Sequence, residues 1–329
     1  MNYSVVVPAR NEERSIRPLY EALRPVMDEM TKEAATEDYS KPQWELILID
    51  DGSDDATPSV MQEIKRQDPR VKLIQFRRTF GQTASWSAGF DHAQGDYVIV
   101  MDADLQNDPR DIPAMFAKML RENLDVISGW RKNRQDKEYV KLGSKIGNWL
   151  HRVVTGEKIH DHGCSLKIYK KEALQDLELY GEMHRYITAL LAWKGFRIGE
   201  MVVNHRPRKY GHTKYSIKKK LKEFLDLIVV KFWVQYSARP MHFFGIFGTI
   251  FIATGFILGG SIAVIWLLRI TGFANSSLPL LAVVLVLLGF HFLLTGVLAD
   301  VVAKTYYLEK KPYSIKSTAG FEQKQHRLR

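Results

Sequence analysis

The sequence predicts an α/β fold with a doubly wound, mostly parallel sheet, followed by amphipathic interface helices and a two-helix transmembrane hairpin. Three observations carry this reading. Short apolar runs rich in β-branched residues alternate with helical patterns through the first two-thirds of the chain, the signature of parallel strands joined by crossover helices. Several of these runs end in polar or acidic clusters. Two long apolar segments then follow, each long enough to cross a bilayer.

The first strand is Tyr3–Val7, followed by Pro8-Ala9-Arg10-Asn11-Glu12-Glu13 and a helix with apolar positions at Leu19, Leu23 and Val26. Thr31–Pro42 is polar and reads as a loop or frayed helix end. Trp44–Ile49 is the second strand and runs into Asp50-Asp51-Gly52-Ser53-Asp54, where Ser53 or Asp54 is the expected N-cap of the next helix. Val71–Phe76 is the third strand and Thr83–Ala93 a helix. Gly95-Asp96 turns the chain into the fourth strand, Tyr97–Met101.

That fourth strand leads into Asp102-Ala103-Asp104-Leu105-Gln106. In an open α/β sheet, ligands bind beyond the carboxyl ends of the strands. Hard cations such as Mg²⁺ or Mn²⁺ take oxygen ligands and often link one or two carboxylates to substrate phosphates. Asp-x-Asp-x-Gln at a strand end is thus a candidate metal–diphosphate site. Asp108 and Pro109 read instead as the cap and first turn of the helix Ile112–Leu120. Beyond it come a strand at Asp125–Ser128, a helix at Lys141–Val154, a turn into a short strand at Asp161–Tyr169, a helix at Glu182–Trp193 and a last strand at Arg197–Val203.

The chain has 329 residues and a net charge of +10. The basic excess lies between Arg131 and Lys222 and again after Lys304, which suits anionic lipid head groups or a phosphorylated ligand. No helix-turn-helix, RNA-recognition or zinc-finger pattern is present, and two membrane spans argue further against a nucleic-acid partner. Cys164 is the single cysteine, so no intrachain disulfide can form. The start of the chain lacks the basic and apolar regions of a signal peptide.

Ser216–Tyr236 mixes Lys218, Lys219, Lys220, Lys222 and Lys231 with apolar and aromatic residues at helical spacing, as in a helix lying in the membrane interface. Phe243–Leu268 has no charged residue in 26 positions, and Leu278–Ala299 has only His291 as a possible charge in 22. The nine-residue link Arg269–Ser277 makes them a hairpin. Basic flanks at Lys214–Lys231 and Lys304–Lys311 put both ends of the hairpin on the cytoplasmic side. Gly255, Gly259, Gly260 and Gly289 either allow close helix approach or are merely tolerated.

Pro8…Asn11-Glu12, Asp50-Asp51-Gly52-Ser53 and Asp102-Ala103-Asp104, in that order, resemble the inverting glycosyltransferases of family 2, which have the GT-A fold. Arg78-Thr79-Phe80-Gly81-Gln82, Gly163-Cys164-Ser165-Leu166-Lys167-Ile168-Tyr169 and Arg208-Lys209-Tyr210-Gly211-His212-Thr213-Lys214-Tyr215 narrow the resemblance. They resemble the polyprenyl-phosphate group, which includes dolichol-phosphate mannose synthase, bactoprenol glucosyltransferases and undecaprenyl-phosphate formamido-arabinose transferase. The resemblance covers residues 3 to 310.

It implies a nucleotide-sugar donor, a polyprenyl-phosphate acceptor at the lipid bilayer, and Mg²⁺ or Mn²⁺. By that resemblance Pro8, Arg10, Glu12, Ile49 and Asp51 line the nucleotide pocket and Ala103 lies alongside the nucleotide. Asp104 and Gln106 hold the metal, and Asp102 contacts sugar or ribose hydroxyls. Arg131, Arg208 and Lys214 contact phosphates, with Arg206 a further candidate. The implied organisation is a GT-A domain at 1–215, interface helices at 216–240, the hairpin at 241–303 and a basic cytoplasmic tail at 304–329. A homo-oligomer is compatible with it. Two positions depart from the family: Arg10 replaces an aromatic, and Cys164 stands where bactoprenol glucosyltransferases have Asp, with Asp161 the possible substitute. The rival readings are a processive polysaccharide synthase, whose Gln-x-x-Arg-Trp motif is missing, and a non-catalytic membrane-anchored nucleotide-binding scaffold.

Overall fold

The computed structural model describes residues 2–34, 43–132, 159–175, 177, 179, 181, 183–207, 229, 231, 232, 235, 236, 239–268 and 277–309. The expected helix at 141–154, most of the interface segment and most of the basic tail lie outside them. The chain forms two compact units, residues 1–230 and 231–329.

The first unit is built on a seven-stranded sheet. Its strands are β1 (Tyr3–Ala9), β2 (Trp44–Asp50), β3 (Val71–Gln75), β4 (Tyr97–Val100), β5 (Val126–Trp130), β6 (Lys167–Lys170) and β7 (Ile198–Val202), in the spatial order β3-β2-β1-β4-β6-β5-β7. All neighbours are parallel except β6, which is antiparallel to β4 and β5. Because β6 runs backwards, its leading residues, 161–166, lie at the same sheet edge as the carboxyl ends of β1, β2, β4 and β5. Every motif singled out in the described part of the sequence therefore converges on one edge.

The central strands read as unbroken apolar runs because both faces are covered. On one face Val5, Val7, Leu46, Leu48 and Ile99 pack with α1 (Ile16–Ala34), α2 (Thr57–Gln67) and α4 (Ile112–Arg121). On the other Val6, Ile47, Ile49, Val98 and Val100 pack with α3 (Gln82–His92), α5 (Lys171–Leu174) and α6 (Ile187–Trp193). A Cβ at Gly89 would come within 2.3 Å of Val6, so only glycine lets α3 lie this close to β1.

Some boundaries differ from expectation. Neither Ser53 nor Asp54 caps α2; the helix starts later, after Ala56, and Asp55 accepts from the Thr57 amide instead. Ser53 turns back to Asp50 and Asn11, which removes it from the helix end. The expected helix over Glu182–Trp193 is a 3₁₀ turn at Met183–Tyr186 followed by a two-turn helix. Asp108 does cap the 3₁₀ turn at Pro109–Asp111.

The second unit is a pair of packed helices, α7 (Pro240–Leu267) and α8 (Leu278–Glu309). Each has a stretch long and apolar enough to cross a membrane. Side chains at Gly255 and Gly289 would collide with Val286 and Ile252, so these glycines set the close approach. Gly248 and Gly296 do the same and were not singled out in the sequence. A Cβ added at Gly260 would meet nothing within 4 Å, so that glycine is not needed for the packing.

A charge latch ties α1, α2 and β3 together. Buried Asp68 accepts from Tyr20 and from the backbone and guanidinium of Arg70, which also reaches Asp28 and lies over Trp44. The bonds from Arg70 outweigh burial and bring the Asp68 carboxyl down to about 2. Its folded pKa lies below the unfolded one, so its contribution is full above about pH 4 and fades as pH falls towards 2. Asp68→Asn is expected to destabilise by roughly 2 kcal/mol at pH 7. In thermal unfolding of the detergent-solubilised chain, the gap from wild type should narrow below about pH 4.

Candidate active site

The loops after β1 and β2 are laced together. Asn11, in a left-handed conformation, donates its amide to Ser53 and accepts from the Asp54 amide. The Glu12 amide donates to Thr57 and its carboxylate accepts from Ser15. Beside this lacing lies a cleft of about 360 Å³ lined by Arg10, Asp50, Gly52, Ser53, Asp54 and residues 75–79. Gly52 has φ +65°, and a Cβ there would come within 2.6 Å of the Arg78 backbone. Glycine is thus required for the β2 loop to meet the β3 loop.

Asp51 is buried and organises this region. Its carboxylate accepts from the amides of Phe80 and Gly81, and its carbonyl from Thr79. Asp50 is the more suggestive of the pair: one oxygen accepts from the Ser53 amide, and the other is buried without a hydrogen-bond partner. Ile49, expected at the nucleotide pocket, is fully buried, and its side chain packs with Val6, Ile47 and Trp86. Pro8 lies in β1 opposite Ile49, one residue before the strand end at Ala9, and Arg10 is exposed at the cleft.

At the end of β4 the loop turns sharply. Ala103 and Asp104 are buried, Asp102 and Gln106 partly so, and Leu105 takes a left-handed φ of 62°. Asp102 accepts from the Gln82 side chain at 2.8 Å, which ties the loop to the start of α3. Asp104 accepts from the Gln106 amide at 3.1 Å. Among the described residues no three His, Cys, Asp or Glu converge on one point. Asp104 and Gln106 carry the oxygen donors that the sequence offered for a divalent cation. That all-oxygen donor set suits Mg²⁺ or Mn²⁺.

Arg131 follows β5 at the same edge. Its guanidinium makes two hydrogen bonds to Asp161, at 2.7 and 2.9 Å, and both side chains are almost wholly buried. Burial opposes the charge on Arg131, but Asp161 more than offsets it and the pKa is raised. Asp161 therefore acts as Arg131's counter-ion, at the turn where the sequence offered it as a substitute for the missing carboxylate at Cys164. Cys164 is buried beneath Gly129, and burial pushes its thiol up to about 11. It is neutral at physiological pH. Arg206, a phosphate candidate in the sequence, is bonded to Asp108 at 2.5 Å. Arg208 and Lys214 lie outside the described residues.

The sequence missed Gln82 as the partner of Asp102, Asp161 as the partner of Arg131, and Asp50. Nothing in the Arg78-Thr79-Phe80-Gly81-Gln82 stretch specifies that its glutamine reaches Asp102.

The model of glycosyl transferase family 2 matches residues 4–178, which hold every strand but β7. The chain belongs to that family. It is a glycosyltransferase. Dodecaprenyl-phosphate galacturonate synthase of Rhizobium johnstonii is 42% identical over 93% of this chain and 89% of that protein. Undecaprenyl-phosphate 4-deoxy-4-formamido-L-arabinose transferase of Salmonella choleraesuis is 31% identical over 92% of this chain and 88% of that protein. Among solved structures, glucosyl-3-phosphoglycerate synthase of Mycobacterium tuberculosis, in complex with Mn²⁺, UDP and phosphoglyceric acid, aligns with TM-score 0.52 and 16% identity. That alignment covers 71% of this chain and 78% of the other, and it bears out the expected GT-A-type fold.

Asp161→Asn removes the carboxylate hydrogen-bonded to Arg131. It is expected to cost about 3 kcal/mol or more, because a broken buried pair strands a charge. Thermal unfolding of the variant beside Arg131→Met/Asp161→Leu checks this, with the double variant expected to be the more stable.

Proposed function

We propose that the enzyme transfers a sugar from a nucleoside diphosphate sugar to a polyprenyl phosphate, with inversion at the anomeric carbon. The observation that carries this reading is that relatives named for dodecaprenyl- and undecaprenyl-phosphate acceptors match over nine-tenths of the chain, and not only over the sheet. For the sugar, we propose a uronic acid, the class named for the 42% identical relative. The membrane hairpin supports a lipid-borne acceptor, whose prenyl chain stays in the bilayer while its phosphate reaches the surface.

In the proposed step an oxygen of the acceptor phosphate attacks the anomeric carbon. The bond from that carbon to the diphosphate breaks, and the nucleoside diphosphate departs with the electron pair. The second pKa of a phosphate monoester is about 6, so the nucleophile is already largely anionic and needs no strong base. A divalent metal, Mg²⁺ or Mn²⁺ on Asp104 and Gln106, would neutralise charge on the leaving diphosphate. Asp102, held by Gln82, is the proposed contact to donor hydroxyls. Pro8, Arg10, Glu12, Asp51 and Ala103 are proposed around the nucleotide.

The residues' remaining task is to hold two anions that repel each other. Guanidinium groups suit it through their planar, bidentate fork. Arg131, Arg208 and Lys214 are proposed for it, with Arg131 aimed by Asp161. The four-part organisation, with its sheet domain at 1–215, is proposed together with a cytoplasmic location for that domain and both termini. The basic residues flanking the hairpin support that orientation.

Purified enzyme in detergent, given labelled nucleotide sugars, a short polyprenyl phosphate and Mg²⁺ or Mn²⁺, should move label into the organic phase. The uronic acid donor should be used best. Asp104→Ala should lower transfer at least about 10²-fold, in the range of a lost transition-state charge contact, while the protein still folds and inserts. Binding of nucleotide with no transfer from any donor would favour the scaffold reading instead.

A further inference from the structure

The segment leaving β7 runs across the loop proposed to hold the metal and is bonded to it at successive points. The Arg206 amide donates to the Gln106 carbonyl at 2.9 Å. Asn107 and His205 form an antiparallel bridge. The Arg206 guanidinium reaches Asp108 at 2.5 Å, and Asp108 also holds Arg110. The Asn204 amide and side chain both donate to Asp111, at 2.7 and 2.8 Å. On the loop's other side, Asn107 donates to Ser165 at 2.7 Å.

This lacing explains a local oddity. Leu105 sits between Asp104 and Gln106 with a φ of 62°. A left-handed conformation costs a non-glycine residue about 1–2 kcal/mol and persists only where its surroundings impose it. The surroundings do so here through Gln106. Its N–H is taken by the Asp104 carboxylate and its C=O by the Arg206 amide. The Asp104 carboxylate and the Gln106 backbone, on either side of Leu105, are thereby fixed.

We propose that residues 203–207 are a strap that sets the geometry of the metal loop, with Arg206 as its positioning residue, anchored on Asp108 and seconded by Asn204 on Asp111. This rests on the proposed metal role of Asp104 and Gln106. Arg206 is not a phosphate ligand in this account. It acts through the backbone of Gln106, and its guanidinium is committed to Asp108. The arrangement is the loop equivalent of outer-shell partners that orient metal ligands elsewhere.

The test uses the full chain in detergent. Mn²⁺ binding is followed by electron paramagnetic resonance at saturating UDP and, separately, GDP. Nucleotide binding is followed by calorimetry in EDTA. Arg206→Gln should weaken Mn²⁺ binding about tenfold, the scale of outer-shell substitutions at metal sites, with metal-free nucleotide affinity unchanged. Arg206→Lys should restore most of the loss, and Asn204→Ala should show a smaller loss of the same kind. Asp108→Asn and Arg206→Gln should be non-additive in combination, because they remove one interaction.

Wild-type Mn²⁺ affinity in both Arg206→Gln and Asn204→Ala would overturn the strap. So would an equal fall in metal-free nucleotide affinity, which marks general damage. Asp104→Ala serves as the control on the underlying reading. If Asp104→Ala binds Mn²⁺ like wild type, the metal assignment itself fails, and that result is distinct from a failure of Arg206 alone.

Discussion

β4 is buried on both faces, between parallel β1 and antiparallel β6, and the chain emerges from it through buried Met101 into Asp102. The rest of the site depends on that constraint. β4 is held in register by hydrogen bonds to a neighbour on each side and by packing on both faces. Asp102, Ala103 and Asp104 are therefore delivered to a fixed depth at the sheet edge. The sharp turn at Leu105 then returns Gln106 towards Asp104, as their 3.1 Å bond shows. The backbone geometry is set before any substrate arrives, which is what electrostatic catalysis requires of its polar groups.

The antiparallel strand β6 is the second consequence of this plan. In a wholly parallel sheet the residues preceding a strand would lie at the opposite edge. Here Asp161, Gly163 and Ser165 come to the catalytic edge, where Asp161 holds Arg131 and Ser165 holds Asn107. Gly163 leaves room for the guanidinium, since a Cβ there would approach it at 3.0 Å. An arginine bonded twice to a buried carboxylate keeps its charge and its direction. The pairing with Asp161 fixes where that guanidinium sits at the sheet edge.

What was legible in the sequence followed from local pattern. The strands before Pro8, Asp50 and Asp102 are runs of Val, Ile and Leu that end abruptly in polar residues, and the sheet places all three ends together. The apolar hairpin was legible for the same reason, by length and by the absence of charge. What was not legible depends on distance along the chain. Arg131 and Asp161 are 30 residues apart, Gln82 and Asp102 are 20 apart, and Asp108 and Arg206 are 98 apart. Nothing at either end of such a pair marks its partner. The pattern also did not show that the Ile49 side chain faces the core while its neighbour Asp50 lines the cleft. Ser53 was misread as a cap because its bonding to Asp50 and Asn11 is tertiary.

The central claim is that Asp104 and Gln106, fixed at the end of β4, hold a divalent cation against the donor diphosphate. Anomalous diffraction from crystals of the full chain with Mn²⁺ and the nucleoside diphosphate it binds tests that most directly. The account predicts one Mn²⁺ peak within about 2–2.3 Å of oxygens from Asp104, Gln106 and the diphosphate, the range for a small hard cation with oxygen ligands. A bound diphosphate with the Mn²⁺ peak elsewhere, or with Asp104 turned away from it, would contradict the account.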